Sequence, residues 1–319
     1  MGFYSGKKIL VTGGAGFLGS FIVEKLLNEK NVNPENIIVP RSSTMDLRNW
    51  ENCVEVISGI DIVIHLAAKV GGIGFNRKYP ATLFYDNAIM GLQLMEAARR
   101  GSVEKFVAIG TVCAYPKNTP VPFREEDLWN GYPEETNAPY GLAKKMLLVQ
   151  ALSYRKQYGF NAIYLLPVNL YGPRDNFHPE HSHVIPALIK KMIDAKLKGE
   201  SEVVVWGTGK PSREFLYVED AAEGILLATE KYDKPDPVNL GTGEEITIRE
   251  LVNFIAEIAR YEGKIIWDTS KPDGQPRRSL DVNKSKEEFG FEAKTDLKEG
   301  LKRTIEWYKN QYVLNSISA

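Results

Sequence analysis

The chain has 319 residues, of which 43% are hydrophobic and 25% charged, and its formal net charge is −1. This composition is that of an ordinary globular protein with one large or two modest domains, and the near-zero charge disfavours nucleic acid or an anionic membrane as a partner. Two cysteines, the absence of a secretory-type N-terminus and the absence of an apolar run of about 18 residues predict a reduced, cytoplasmic protein that does not span a membrane.

The first 30 residues carry a dinucleotide-binding pattern. A buried strand over residues 7–12 runs directly into a glycine-rich turn, and a helical pattern follows from Ser20 to about Asn28. Glycines at this spacing allow a tight turn and the close approach of a pyrophosphate, while the helix N-terminus offers unpaired N–H groups to the phosphates. The predicted cofactor-binding residues of this turn are Gly13, Gly16, Phe17, Leu18 and Gly19.

The second predicted strand, Asn36–Val39, bears on which dinucleotide is bound. Where an NAD enzyme of this type has an acid, this chain has Pro40-Arg41-Ser42-Ser43. An acid repels a 2′-phosphate, whereas Arg41 can bind it, so the pattern favours NADP(H) over NAD. Asp46 follows a few residues later and keeps NAD open as the alternative.

Helices and further strands continue the alternation. A helical pattern over 46–58 leads to a strand over 61–68, in which His65 is predicted to be a core residue and Ala67 and Ala68 lie close to the dinucleotide. The helices near 80–100 and 140–158 are apolar on more than one face. Because one sheet face needs less apolar surface than this, the pattern predicts a homodimer that forms through these two helices.

Strands over 105–110 and 161–166 complete the pattern of a Rossmann-type doubly wound parallel α/β sheet. Ligands bind at the carboxyl ends of such strands, where Thr111 follows the first of them. Tyr140 and Lys144 are four residues apart on a predicted helix and therefore share a face. A neighbouring ammonium favours the phenolate, so this pair is predicted to be a proton donor with Thr111 beside it.

The second half of the chain predicts a smaller, interleaved C-terminal α/β substrate domain. Residues 1–172, with returns near 214–240, form the predicted dinucleotide-binding domain, and residues 173–213 and 241–319 form the substrate domain. The polar segment 174–183 contains His178, His181 and His183, but their spacing is not that of a metal site, and we predict no metal.

The glycine turn, Thr111 and the Tyr140/Lys144 pair together resemble the extended short-chain dehydrogenase/reductase superfamily over essentially the whole chain. Within it, four runs resemble the GDP-L-fucose synthase family: 65–72 (HLAAKVGG), 113–117 (CAYPK), 169–173 (NLYGP), and 175–179 with 182–186 (DNFHP and SHVIP). The last of these is the most specific. The resemblance implies an NADPH-dependent enzyme that epimerises and reduces GDP-4-keto-6-deoxy-D-mannose to GDP-L-fucose.

The resemblance also implies roles for individual residues. Cys113 and His183 are the base and acid that invert C3 and C5, and Tyr140 protonates the C4 oxygen as hydride arrives. Lys144 lowers the pKa of Tyr140 and holds the ribose, and Thr111 hydrogen-bonds the C4 oxygen. Further implied cofactor contacts are Pro167, Asn169, Leu170 and His183. Implied substrate contacts are Asn169, Val184, Lys191, Trp206, Arg213 and Arg278.

Other interpretations stay open at this point. Cys113 can be a small buried hydrophobe, and Arg213 and Arg278 can be surface charges. A GDP-mannose 3,5-epimerase, a GDP-sugar 4-reductase and an NAD-dependent UDP-sugar 4-epimerase share the scaffold. A non-enzymatic NADP-sensing regulator has no need of Thr111, Tyr140 and Lys144 together.

Overall fold

The central feature of the described chain is a six-stranded parallel sheet. The computed structural model describes residues 2–179, 182–271 and 273–314. Within them the strands are β1 (Ile9–Thr12), β2 (Ile37–Ile38), β3 (Ile62–His65), β4 (Lys105–Ile109), β5 (Ala162–Pro167), β6 (Asn169–Tyr171), β7 (Glu202–Trp206), β8 (Ser212–Tyr217), β9 (Val238–Leu240), β10 (Glu245–Thr247) and β11 (Lys264–Asp268). The sheet has the order β2-β1-β3-β4-β5-β9. The strand order reverses between β1 and β3, which is where such sheets bind ligands.

Helices cover the sheet and continue into the second half. They are α1 (Phe17–Asn28), α2 (Trp50–Ile57), α3 (Ile73–Lys78), α4 (Pro80–Arg100), α5 (Ala138–Tyr158), α6 (Val184–Lys198), α7 (Val218–Lys231), α8 (Ile248–Ala259), α9 (Asn283–Phe289) and α10 (Leu297–Tyr308). Every residue of β1, β3, β4 and β5 is buried, as strands with helices on both faces require. The predicted fold class, a doubly wound parallel α/β sheet with a smaller second unit, is confirmed.

Some predicted boundaries were wrong. The helix predicted over 46–58 begins only at Trp50, because the Asp46 carboxylate accepts the backbone N–H of Arg48 at 3.0 Å and such bonds favour a turn over a helix. Conversely, α1 begins at Phe17, three residues before the predicted start. After β3, the glycine-rich run Gly71-Gly72-Ile73-Gly74 leads into α3, which begins at Ile73.

A second hydrophobic cluster lies apart from the sheet core and includes Ile189, Phe215, Leu251 and Ile305. It is framed by two small sheets, β10-β8-β6 and β11-β7. The domain boundaries stay a prediction. Because Leu280, Phe289 and Phe291 pack in the first cluster, we propose that residues 280–291 belong with the sheet and not with the substrate unit. None of the described helices is both long and apolar enough to cross a membrane.

The buried carboxylate of Glu214 joins three segments. Glu214 is fully buried on β8. One oxygen accepts the backbone N–H groups of Thr242 and Gly243 at 2.6 and 3.0 Å, and the other accepts the Leu280 N–H at 2.6 Å and the Ser279 hydroxyl at 3.0 Å. A buried carboxylate with this many donors holds the loops after β9 and before α9 against β8.

We expect Glu214→Ala to lower the free energy of unfolding by roughly 3 kcal/mol or more, because it leaves buried donors without an acceptor. Urea denaturation measures this loss. Glu244→Ala is the matched control, since it removes the same charge from an exposed residue of the adjoining loop; we expect a change within about 0.5 kcal/mol. Equal midpoints for the two variants would contradict a structural role for the carboxylate.

Candidate active site

The predicted dinucleotide turn has the geometry that its glycines suggest. Gly13 has φ +71°, and a Cβ there would lie 3.0 Å from the Ala67 nitrogen. A Cβ on Gly19 would lie 2.1 Å from the Gly13 oxygen. Gly16 is the N-cap of α1, and among the described residues no side chain accepts a capping hydrogen bond from the first N–H groups of this helix. Backbone N–H groups at this helix end, beside the end of β3, therefore fit the pyrophosphate of a dinucleotide.

The carboxylate of Asp46, which kept NAD open as an alternative, already has a hydrogen-bonding partner. The Arg48 guanidinium donates to both oxygens of Asp46, at 2.7 Å to the nearer, and also to Asp86 at 3.3 Å. These bonds lower the pKa of Asp46 and occupy its carboxylate. Arg41, by contrast, is exposed beside two exposed serines, as a binder of the 2′-phosphate must be.

Thr111 and Cys113 lie at the carboxyl end of β4. Thr111 is the N-cap of the short 3-10 helix Val112–Ala114, and its hydroxyl oxygen accepts the Cys113 N–H at 3.2 Å. A Cβ on Gly141 would lie 2.3 Å from the Cys113 carbonyl oxygen. A glycine at this position of α5 therefore lets the helix backbone approach the thiol segment closely.

That approach places Tyr140 beside Cys113. Burial raises the pKa of Tyr140, and the proximity of Cys113 raises it further. Burial and Cys113 set this direction, and the predicted lowering of the pKa of Tyr140 by Lys144 stays a prediction. Lys144 is itself 2% exposed, and burial lowers its pKa to about 8. The Tyr164 hydroxyl donates to the Lys144 carbonyl at 3.1 Å and fixes this turn of α5.

A pair of arginines lies on the other side of the thiol. Arg278 is 8% exposed, and its Nη1 is 3.7 Å from the Cys113 sulfur. Arg213 lies nearby, and its pKa is lowered to about 10 by burial first and by the charge of Arg278 second. Neither arginine is therefore an ordinary surface charge, the alternative that the sequence left open. Cys113 is only partly buried, so it is not a fully buried core cysteine.

His183 is the N-cap of α6. More than a third of the residue reaches solvent, yet protein atoms crowd the ring and the resulting desolvation lowers its pKa. The preceding residue, Ser182, has its carbonyl oxygen 3.0 Å from the position of a Cβ on Gly72. From α3, which begins at the next residue, the Asn76 amide donates to the Asn137 side-chain oxygen, just before α5, at 3.2 Å. Residues 71–76 thus connect the His183 segment to the start of the Tyr140 helix. His181 lies outside the described residues.

The remaining predicted substrate residues form a strip away from the thiol. The Lys191 ammonium donates to the Val204 carbonyl at 2.7 Å, and Trp206, at the end of the same strand, is 67% exposed. Thr208 then bonds Asp273 through its N–H at 2.7 Å, and the loop from Asp273 leads to Arg278. Val184 is half-buried at the start of α6.

The predicted cofactor contacts near the end of β5 and of β3 differ in burial and in hydrogen bonding. Pro167 is buried, and Leu170 is half-buried on β6. The Asn169 amide donates to the Glu214 carbonyl at 2.9 Å, so this side chain helps to hold β6 against β8. Ala67 and Ala68 are half-buried just beyond β3, and the Ala67 backbone lies against Gly13 of the glycine turn.

The sequence analysis missed two residues of the site, Glu214 and Gln275. Glu214 had a visible signal, a carboxylate within the apolar strand run Phe215-Leu216-Tyr217, where a charge must be paired. Gln275 accepts two bonds from the Arg278 guanidinium, at 3.0 and 3.2 Å. Nothing in its local sequence indicated this.

Comparisons with known proteins agree with this geometry. The family model described as "NAD dependent epimerase/dehydratase family" matches residues 9–241. The rice protein (Oryza sativa subsp. japonica) named "Probable GDP-L-fucose synthase 1" is 42% identical over 318 residues, which cover 98% of this chain and 94% of that protein. A solved GDP-6-OMe-4-keto-L-xylo-heptose reductase from C. jejuni superposes with a TM-score of 0.91 at 28% identity, covering 98% of this chain and 99% of that one. A GDP-L-fucose synthetase from Naegleria fowleri bound to NADP has a TM-score of 0.87 at 28% identity, with 98% and 97% coverage. The predicted resemblance is confirmed.

Lys144 provides a test of this buried site. Its pKa falls from 10.5 to about 8 on folding, so the folded protein loses this proton before the unfolded chain does, and stability rises with pH between these values. In the absence of added dinucleotide, we expect Lys144→Met to raise the free energy of unfolding at pH 7 by at most roughly 3 kcal/mol. Most of the gain should vanish by pH 10.

Urea denaturation at pH 7 and pH 10 measures both values. Lys156→Met, an exposed position on the same helix, is the control and should change stability little at either pH. A gain for Lys144→Met that is absent at pH 7, or equal at both pH values, would contradict a buried charge at this position.

Proposed function

The chain belongs to the NAD dependent epimerase/dehydratase family, and from this premise we propose that it is an NADPH-dependent epimerase-reductase that converts GDP-4-keto-6-deoxy-D-mannose to GDP-L-fucose. Relatives named GDP-L-fucose synthase match nearly the full chain, so the chain is an enzyme that uses a nicotinamide cofactor and a GDP-sugar. The observation that carries the finer proposal is the position of Cys113. Its sulfur lies close to Tyr140 and 3.7 Å from Arg278 Nη1, where a reductase alone has no use for a thiol.

Epimerisation requires a base and an acid on opposite faces of the sugar. Protons on C3 and C5 are acidic because C4 is a ketone. The Cys113 thiolate takes such a proton, the electron pair moves onto the C4 oxygen, and His183 returns a proton to the other face. Because desolvation lowers the pKa of His183, its protonated ring gives up a proton readily.

Reduction follows at C4. When bound, the reduced nicotinamide supplies the hydride that C4 accepts. The raised pKa of Tyr140 keeps its proton available at neutral pH, and the phenol donates it to the C4 oxygen. The phenolate that remains is stabilised by the ammonium of Lys144, which also binds the ribose. Thr111 orients the same oxygen through its hydroxyl.

The site extends along the strip from Arg278 to Lys191. The buried guanidinium of Arg278 and the half-buried one of Arg213 suit the pyrophosphate of a nucleotide sugar, since arginine binds phosphate in a bidentate fashion. The exposed ring of Trp206, with the Lys271 ammonium 5.5 Å from its centre, offers a flat surface to a base. We assign these residues, with Val184 and Asn169, to the GDP-sugar.

The same proposal includes a homodimer. Phe84 and Tyr85 on α4, and Met146, Val149 and Leu152 on α5, are exposed, although both helices also bury apolar residues against the sheet. A surface of large apolar side chains on two adjacent helices fits a second copy of the same surface.

A 4-reductase without epimerase activity is the second candidate, favoured by the close superposition on the heptose reductase. The two candidates differ in what happens at C3 and C5. Only the epimerase-reductase exchanges protons at these carbons, so solvent isotope incorporation separates them.

We expect incubation with GDP-4-keto-6-deoxy-D-mannose and NADPH in heavy water to consume NADPH and to place deuterium at C3 and C5, as read by NMR of the product. Cys113→Ser should suppress the exchange but still reduce a pre-epimerised substrate. Tyr140→Phe is the reciprocal variant, and should exchange deuterium while its reduction rate falls at least about a hundredfold, as loss of a general acid does. Wild-type reduction without deuterium would show a simple 4-reductase.

NADP(H) specificity is tested at Arg41. We expect Arg41→Ala to weaken NADPH binding by roughly tenfold or more, through loss of a charge-assisted contact to the 2′-phosphate, while NADH binding stays nearly constant. Fluorescence titration with each nucleotide measures the ratio. Arg303→Ala on α10, whose side chain pairs with Glu299, is the control. An unchanged ratio in Arg41→Ala would refute this assignment.

A further inference from the structure

The guanidinium of Arg278 is fixed in place by neutral groups. Its Nε and Nη2 both donate to the Gln275 side-chain oxygen, at 3.2 and 3.0 Å. The Gln275 amide in turn donates to the carbonyl of Lys117 at 3.0 Å, four residues after Cys113. The remaining nitrogen, Nη1, points to the Cys113 sulfur at 3.7 Å. Gln275 therefore orients Arg278 without neutralising it.

The carboxylates of this region are directed elsewhere. Within the described residues Arg278 has no carboxylate within ion-pair distance, whereas the neighbouring Arg277 pairs with Glu245 at 2.5 Å. Asp273 is held by Thr208, at 2.7 Å from both its N–H and its hydroxyl, although Asp273 and Glu245 both act on Arg213 at longer range.

Among the described residues, the groups shown to interact with the thiol besides Arg278 are neutral or positive. From β8, Arg213 interacts electrostatically with both Cys113 and Arg278. From α5, the neutral phenol of Tyr140 is close to the sulfur. A further cation, Lys145, donates to the carbonyl of Ala114, the residue after Cys113, at 3.5 Å. A buried guanidinium without an anion is costly. An anionic sulfur at 3.7 Å reduces that cost.

We propose that Arg278 stabilises the thiolate of Cys113 before the nucleotide sugar binds, and that Gln275 positions it for this role. Arg278 is thus a positioning residue for the thiol in addition to its assignment to the substrate. The catalytic consequence rests on the proposed function: the thiolate removes the sugar proton, becomes a thiol, and the negative charge moves to the C4 oxygen. The stabilisation itself is present without substrate and can be measured alone.

Alkylation by iodoacetamide, a neutral reagent that reacts with thiolates, measures it. Cys113 is the residue expected to react, because Cys53 is fully buried and burial raises its pKa to about 12; Cys113→Ser should abolish the labelling. We expect Arg278→Met to slow alkylation at pH 7 by roughly tenfold or more, as loss of an adjacent charge does. Arg278→Lys should recover part of the rate, and Gln275→Ala should lose part of it.

The comparison at pH 10 separates charge from access. At pH 10 ionisation limits the alkylation of an ordinary cysteine far less than at pH 7, so Arg278→Met should react as fast as the wild type or somewhat faster, because a thiolate without a cation is more nucleophilic. Slower alkylation of Arg278→Met at both pH values would indicate altered access and overturn the proposal. Equal rates at pH 7 would also overturn it.

Arg277→Met is the matched control. It removes the same charge from the adjacent residue, whose side chain is 62% exposed and paired with Glu245, and it should alkylate within about twofold of the wild type. If it slows as much as Arg278→Met, the effect is one of general charge and the proposal fails. The deuterium experiment tests the proposed function independently, since alkylation needs no sugar substrate.

Discussion

The arrangement of the site depends on a single buried carboxylate. Glu214 accepts four donors from two loops that are distant in sequence from β8. The residue before it, Arg213, lies near Arg278 and Cys113, and one of the two bonded loops follows directly after Arg278. Because the carboxylate is fully buried, these bonds are not weakened by water. The Glu214 carboxylate therefore sets the spacing between Arg213 and Arg278, although we assign it no role in the reaction itself.

Burial affects the groups that we assign to the reaction. It lowers the pKa of Lys144 and raises that of Tyr140, and among the described residues no carboxylate lies within ion-pair distance of Arg278. The buried charges of Lys144 and Arg278 cost stability, whereas Tyr140 is a neutral phenol at neutral pH in both the folded and the unfolded chain. The sheet core, in which four strands are buried along their whole length, supplies the excess stability that such a site needs.

Local patterns predicted the parts of the protein that depend on neighbours in sequence. The glycine turn after β1 and the Tyr140/Lys144 pair follow from backbone freedom and helical spacing, and the alternation of buried strands with helices predicted the sheet. The features that the sequence did not predict depend on how deeply a side chain is buried or on contacts between residues far apart in the chain. The four-residue spacing places Tyr140 and Lys144 on the same helix, α5, but it carries no information about desolvation, which raises the pKa of the phenol and lowers that of the ammonium. The contact between Cys113 and Arg278 joins residues 165 apart in the chain, and only folding reveals it.

The two arginines beside one thiol link the two halves of the proposed reaction. In the free protein Arg278 faces the sulfur of Cys113, and by our proposal the nucleotide sugar brings negative charge to the same region. In the proposed reaction the charge of the thiolate moves onto the C4 oxygen when the sulfur accepts a proton, and Tyr140 then protonates that oxygen. In each proposed step the negative charge moves to a different group, and Arg278 can stay in place while this happens. A rigid anchor such as Gln275 is then more useful than a carboxylate, because a neutral amide fixes the direction of the guanidinium and leaves its full charge for the reacting groups.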